Sequence, residues 1–288
     1  MAATLLKGIN AVNFAKTELS TRAASIASEF SPPKLVIIRV GARPDDEAYE
    51  RSAVKRCEGI GIKCELCIFD SQISNAEFIS DFKKINADKS THGILVLSPL
   101  PLNIDQNAVK TIIDPIKDVD CISPVNIAKL FTGDTSGHMP CTPSAVMELL
   151  RFYKIPISGK RVTLVGRSLV VGKPLAMLLL AEHATLTVCH TRTRDLAEEC
   201  RRADILIAAA GKAKMIGGDY IKPGAVVIDV GINVNEDGSL CGDVDFEAAA
   251  IVAGCITPVP GGVGAVTTAM LARNTLNACD MLNACAKR

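Results

Sequence analysis

The chain of 288 residues has no tryptophan, three tyrosines and eight phenylalanines. So few rings argue against a stacking platform for nucleic-acid bases. An excess of charge is also missing: 32 Lys and Arg face 31 Asp and Glu, a formal net charge of +1. That balance excludes a general electrostatic footprint for nucleic acid or an anionic membrane. The apolar runs are broken by charge or glycine well short of the ~18 residues of a membrane span. The opening residues do not read as a secretory signal. Eleven cysteines might mark a disulfide scaffold, but such scaffolds are short chains with small cores. The expectation is a soluble, cytoplasmic protein with free thiols. Cys64 and Cys67 form a lone C-x-x-C inside an apolar run, with no second pair at metal-ligand spacing. They read as buried strand cysteines rather than as a zinc or redox centre.

What the chain does have is aliphatic weight. At 48% hydrophobic residues, carried by Ala, Val, Ile and Leu, it suits buried parallel strands covered by helices. At roughly 150 residues per domain, the length gives a prior of about two domains. β-Branched runs alternate with helical patterns in two series. The first has strands at 34–40, 63–69 and 93–97 and helices at 45–60 and 75–85. A proline-rich stretch follows, from Pro99 to Pro143, and is read as a linker or shaped loop without regular helix or central strand. A helix at 144–152 leads into the second series, with strands at 161–165, 185–189, 205–209 and 225–230 and a further segment at 251–256. Residues 267–286 read as a long closing helix. Two such series imply two α/β domains with mostly parallel sheets.

The second series lacks the standard G-x-G-x-x-G fingerprint. Its first strand instead enters Gly166-Arg167-Ser168-Leu169-Val170-Val171-Gly172-Lys173-Pro174. A strand, a glycine turn and a helix form the doubly wound phosphate-binding layout, although an ordinary turn would look much the same. The second strand also lacks the terminal Asp or Glu that holds the ribose in NAD sites. It ends in Cys189-His190-Thr191-Arg192-Thr193, with no carboxylate until Asp195. Basic and hydroxyl groups there suit a 2′-phosphate, so NADP is favoured, with NAD as the alternative cofactor. Residues 210–212 and 231–233 end the third and fourth strands, where ligands of such sheets bind.

Three motifs then agree in order. Lys117-Asp118-Val119-Asp120, the Gly166–Pro174 turn, and Thr257-Pro258-Val259-Pro260-Gly261-Gly262-Val263-Gly264 together resemble the methylenetetrahydrofolate dehydrogenase/cyclohydrolase family. A shikimate-type dehydrogenase shares the layout but would not explain the Pro-Gly-Gly-Val-Gly loop. The resemblance implies an N-terminal catalytic domain (1–143 with the returning helix 268–288) and a Rossmann-like NADP-binding domain (144–267), with a cleft between them. It also implies a folate substrate in one-carbon metabolism and a homodimer formed through the nucleotide domain. By position, Tyr49 matches the residue that stacks on the aminobenzoyl group and Asp120 the one that binds the pterin. Pro260, Gly261, Gly262 and Val263 match the loop lining the folate site. Gly166, Arg167, Ser168, Val171, Gly172, Arg192, Ile232 and Thr267 are the expected cofactor contacts. No metal is expected.

One more absence is the most informative. The family pattern is Tyr-x-x-x-Lys, yet Ala53 stands four residues after Tyr49. The glutamine that modulates that lysine falls on Leu97, and the serine three before the tyrosine on Asp46. Lys55, six residues after Tyr49, lies about 120° around a helix from it. Hydride transfer chiefly needs proximity and orientation. Hydrolysis of the methenyl bridge needs proton transfers, which the resemblance credits to the lysine. The expectation is a dehydrogenase with weak or absent cyclohydrolase activity. The alternatives are a bifunctional enzyme in which Lys55 or Arg51 substitutes, and a binding protein that has lost its chemistry.

Overall fold

The structure is a computed structural model that describes residues 3–287. It divides into two compact units. One takes in residues up to Asn13 together with Thr142–Thr267; the other takes in Phe14–Cys141 and the chain from Thr268 onward.

In chain order the elements are β1 (Thr4–Leu5), α1 (Gly8–Glu29), β2 (Lys34–Val40), α2 (Pro44–Glu58), β3 (Lys63–Phe69), α3 (Asn75–Ala87), β4 (Gly93–Val96), α4 (Gln106–Ile112), α5 (Pro124–Thr132) and α6 (Cys141–Phe152). They continue with β5 (Arg161–Val165), α7 (Gly172–Ala181), β6 (Thr185–Cys189), α8 (Leu196–Arg201), β7 (Ile205–Ala208) and β8 (Val226–Asp229). Last come the short hairpin of β9 (Asn233–Val234) and β10 (Leu240–Cys241), then α9 (Phe246–Val252), β11 (Cys255–Ile256) and α10 (Val263–Ala286).

The unit centred on β2 is a parallel sheet in the order β3-β2-β4. β2 reads Lys-Leu-Val-Ile-Ile-Arg-Val, and all but its first residue are buried, because a central parallel strand is covered on both faces. Phe78 and Phe82 of α3 pack on Val36, Ile38 and Ile94 to form its core. α3 begins with a capping box, in which Ser74 and Glu77 satisfy each other's backbone N–H groups. α2 begins with Pro44 at its first turn, carries Asp45, Asp46 and Glu47 there, and ends on Lys55 and Arg56. That order suits both proline's fixed φ and the helix dipole. Arg39 of β2 pins α2 through a buried ion pair to Glu50, with Nε 2.8 Å from Oε2.

The other unit is a six-stranded sheet in the order β1-β11-β8-β7-β5-β6, parallel throughout. Leu206, Val227 and Ile256 lie in its core. This sheet accounts for residues up to Asn13, which the sequence reading gave to the first domain. Thr4 and Leu5 pair with Cys255 and Ile256 at the sheet's end, so the start of the chain belongs to the unit with the six-stranded sheet.

Three further differences have physical causes. The proline-rich stretch holds α4 and α5 rather than loop alone. Pro124 occupies the first turn of α5, where its missing N–H has no partner to lose, and the Ser123 side chain caps that turn. Residues 251–256, read as one segment, divide between the end of α9 and β11. Cys64 and Cys67 lie on β3 as expected but are half-buried, because β3 is an edge strand. Three residues apart, they face opposite sides of the sheet. All eleven cysteines are unpaired. Among the described residues no helix is long and apolar enough to cross a membrane.

Candidate active site

In the unit centred on β2, the site residues come from α2, the end of β4 and the loop that precedes α5. Tyr49 and Ala53 are one helical turn and a little apart on α2, so they share a face with Cys57. Ala53 and Cys57 are fully buried, while Tyr49 is half-buried. Burial pushes the Tyr49 phenol well above its ordinary range, and the nearby acidic groups of Cys141, Asp120 and Cys57 push it the same way. Leu97 is buried at the end of β4, where its N–H continues the ladder to Ile38 O at 2.9 Å. Asp46 lies buried in the first turn of α2.

The run from Lys117 to Asp120 divides into scaffold and site. Lys117 is buried and its Nζ donates to the carbonyls of Asn86 and Asp88, both at 2.7 Å. Asp118, with no exposed surface, accepts from the Ile122 and Ser123 N–H groups at 2.9 and 2.8 Å and from the Asn126 amide at 2.9 Å. These bonds close the loop. Asp120 is half-buried, and its Oδ1 accepts the Cys141 N–H at 3.1 Å. The Cys141 side chain also bonds the Asp120 carboxylate. Burial raises the Asp120 carboxyl above the usual range, against the lowering effect of the Cys141 N–H.

The sequence reading missed two residues at this locus. Cys141 is buried beside Asp120 and Tyr49, and burial raises its thiol as well. Asn274 of α10 donates to Val119 O and Met139 O, both at 2.8 Å, and so braces the flanks of Asp120. Nothing in the local sequence signals either role, because Cys141 reaches Asp120 across 21 residues and Asn274 braces the loop across 135 and 155. The cations that the sequence offered as substitutes stand elsewhere. Lys55 and Arg51 are exposed and line an outer cavity of about 460 Å³ with Glu58 and Leu66, away from the Tyr49–Ala53 face. No cation is among the groups that act most strongly on Tyr49 or Asp120.

In the unit with the six-stranded sheet, β5 runs into Gly166, whose φ of +128° favours glycine. A Cβ there would strike the Ala209 carbonyl, and one at Gly172 would strike the Gly166 carbonyl. The Ser168 hydroxyl accepts the Val171 and Gly172 N–H groups at 3.1 and 3.3 Å and so shapes the turn that starts α7. Arg167 and Ser168 are exposed and Val171 half-exposed beside them. Arg192, after β6, is exposed and has no ion pair with any described residue. Its N–H bonds to His190 Nδ1, which orders the loop. Ile232 is 66% exposed after β8. Thr267 differs from these: it is buried, and its hydroxyl donates to Val263 O at 3.3 Å inside its own helix.

Within the Pro260-to-Val263 run, Gly261 has a φ of +101°, and its carbonyl accepts the Gly8 N–H at 2.8 Å. Gly262 is buried where a Cβ would press on the Pro258 carbonyl at 2.5 Å. Pro260 is exposed, and Val263 begins α10. The run is thus a compact turn whose glycines are sterically required.

Comparison with known proteins agrees with this layout. The catalytic domain of tetrahydrofolate dehydrogenase/cyclohydrolase matches residues 6–120, and its NAD(P)-binding domain matches residues 140–283. The chain is 49% identical to the bifunctional protein FolD of Clostridioides difficile (strain 630), over 97% of each. The crystal structure of the bifunctional enzyme FolD, a methylenetetrahydrofolate dehydrogenase/cyclohydrolase from Campylobacter jejuni, is similar at a TM-score of 0.94 and 41% identity, covering 97% of this chain and 99% of that one. The Trypanosoma brucei FolD structure, complexed with NADP cofactor and inhibitor, is similar at a TM-score of 0.92 and 37% identity, covering 98% of both chains. The chain belongs to the tetrahydrofolate dehydrogenase/cyclohydrolase family.

Proposed function

We propose that this chain oxidises methylenetetrahydrofolate to methenyltetrahydrofolate with NADP, and that its hydrolysis of the methenyl product is weak or absent. The observation that carries the second half is Ala53. The position that the resemblance gives to a proton-transferring lysine holds a methyl group with no exposed surface, next to Tyr49.

The residues present fit a dinucleotide. The glycine cradle at Gly166 and Gly172 admits no side chain, and Arg167 and Arg192 are free cations among the described residues. The absence of a carboxylate at the end of β6 favours NADP over NAD. When bound, the nicotinamide supplies the hydride acceptor. The protein's task in that step is placement. Tyr49 offers its ring to the aminobenzoyl group, and Asp120 offers its carboxyl to a pterin donor. Pro260, Gly261, Gly262 and Val263 are the proposed lining of the folate side. No acid or base of the protein is needed for hydride transfer itself.

Addition of water to the methenyl bridge is different, because a proton must leave the water and another must reach the nitrogen as the ring opens. Tyr49, Cys141 and Asp120 all have their acid forms favoured by burial, and Leu97 has nothing to exchange. The name of the Clostridioides difficile relative favours a second reading, a bifunctional enzyme with Lys55 or Arg51 in the proton role. Assay of both steps on one preparation decides between them. A hydrolysis rate comparable with the dehydrogenase rate overturns the monofunctional reading, and folate and NADP binding without reduction would leave a binding protein.

The homodimer belongs to the same proposal. β6 is an exposed edge strand, and Val188 and Leu180 present apolar surface beside it. Sedimentation at equilibrium tests it, and a monomer would refute it. Eleven unpaired thiols fit a cytoplasmic setting.

A further inference from the structure

Two carboxylates in the nucleotide-side unit have no part in the function described so far. Asp243, just after β10, has no exposed surface. Its Oδ2 accepts the backbone N–H groups of Ala210 and Gly211 at 2.6 and 2.9 Å. Its Oδ1 accepts the Lys212 N–H and the Asn233 side-chain amide, both at 2.9 Å. Asp229, at the end of β8, is 3% exposed. Its Oδ1 accepts the N–H groups of Gly231 and Asp243 at 2.9 and 3.0 Å, and its Oδ2 accepts that of Val244 at 2.9 Å. One carboxylate holds the loop after β7, the other holds the turn after β8, and the Asp243 backbone joins them.

Glycines make room for both. A Cβ on Gly231 would run into the Asp243 carboxyl, and one on Gly242 would run into that of Asp229. Neither glycine has a positive φ, so space rather than backbone conformation demands them. The assembly also reaches the phosphate turn, since Gly166 packs directly on the Ala209 carbonyl, one residue before the clamped loop. The clamped segments leave the carboxyl ends of parallel strands, where this class of sheet binds its ligand.

We infer that Asp243, seated by Asp229, is a positioning residue for the dinucleotide: it fixes residues 210–212 and 231–233 in the shape that receives the cofactor. The inference rests on the proposed dehydrogenase reading. A carboxylate is the group required, because four donors converge on two oxygens that must both accept. Hydrogen bonds to a charged acceptor are the strong ones, and buried donors left without a partner are costly.

The test is Asp243→Asn, whose amide nitrogen cannot accept, so one pair of donors loses its partner. Without ligand, backbone hydrogen exchange at residues 210–212 should accelerate. Kd and KM for NADP should rise about 10- to 100-fold, the equivalent of losing one or two such bonds. At saturating NADP, kcat and the KM for methylenetetrahydrofolate should change less than about threefold. A merely structural role would instead lower the melting temperature and the active fraction and leave the NADP constants of the folded protein unchanged. Should Asp243→Asn fail to fold, Gly231→Ala presses on the same carboxylate without altering it, and the same KM-against-kcat split is expected. Unchanged NADP affinity in the folded variant overturns the inference. A wild-type protein that fails to turn over methylenetetrahydrofolate with NADP overturns the dehydrogenase reading, whatever the variants do.

Discussion

Restoring a lysine in the Ala53→Lys variant tests the chemistry most directly. The substitution adds four methylenes and an ammonium at a site with no exposed surface. Overpacking of a filled interior costs about 1–3 kcal/mol, or a fall of a few degrees in Tm for a protein of this size. The residue would share the α2 face of Tyr49, near the Asp120 and Cys141 acids. Burial lowers a lysine's pKa while neighbouring carboxylates raise it. An amine balanced in this way can exchange a proton with water or a ring nitrogen. General acid–base help is worth about 10²–10⁴-fold, so hydrolysis should rise by at least a hundredfold above wild type, more with Leu97→Gln added. Dehydrogenation should stay within a few-fold. The assay follows loss of methenyltetrahydrofolate absorbance over a pH series, and the gained activity should carry a new titration absent from wild type. A folded Ala53→Lys protein with full dehydrogenase activity and no gain in hydrolysis would refute the reasoning.

Three other outcomes are expected. Arg192→Ser should raise the KM for NADP about tenfold or more and leave NAD nearly unaffected, since one charge-assisted contact to phosphate is lost; an unchanged NADP-to-NAD ratio rules Arg192 out as the discriminator. Arg39→Met leaves Glu50 buried without its partner and should cost about 3–5 kcal/mol in urea unfolding, most of it recovered when Glu50→Leu is added; an additive loss in the double variant contradicts the pairing. Burial raises Asp229 to about 6, above its unfolded value, so its stabilising share is full below about pH 4 and is lost as pH rises through 6. The advantage of wild type over Asp229→Asn should therefore shrink by up to about 3 kcal/mol between pH 4 and pH 7.5, and a constant difference across that range would show that Asp229 does not titrate there.

The strands were the most legible part of the fold. Lys34–Val40, Arg161–Val165 and Thr185–Cys189 run where the β-branched residues do, and Lys63–Phe69 follows its apolar residues at the sheet's edge. α1 was not legible. Its buried stripe is Ala11, Ala15, Leu19, Ala23 and Ile26, too rich in alanine to stand out from the polar residues between. β1 and β11 are two residues each, and only their pairing defines them. At the proposed site, Tyr49, Ala53 and Asp120 come from the resemblance and its Tyr-x-x-x-Lys pattern, and α2 places Tyr49 and Ala53 on one face. The carboxylates of Asp229 and Asp243 were invisible, since their partners are mostly backbone N–H groups up to 33 residues away. No side-chain pattern encodes such a bond.

The loop before α5 also bears on how activity is inferred from sequence signatures. In Lys117-Asp118-Val119-Asp120, Lys117 and Asp118 serve the closure of the loop, Val119 is buried, and only Asp120 is left partly exposed. Selection on folding alone would keep the first three. A chain of this family without catalytic activity would therefore still match most of this signature. Under the proposed function, Asp120 and the occupant of position 53 carry the information that the rest of the signature does not.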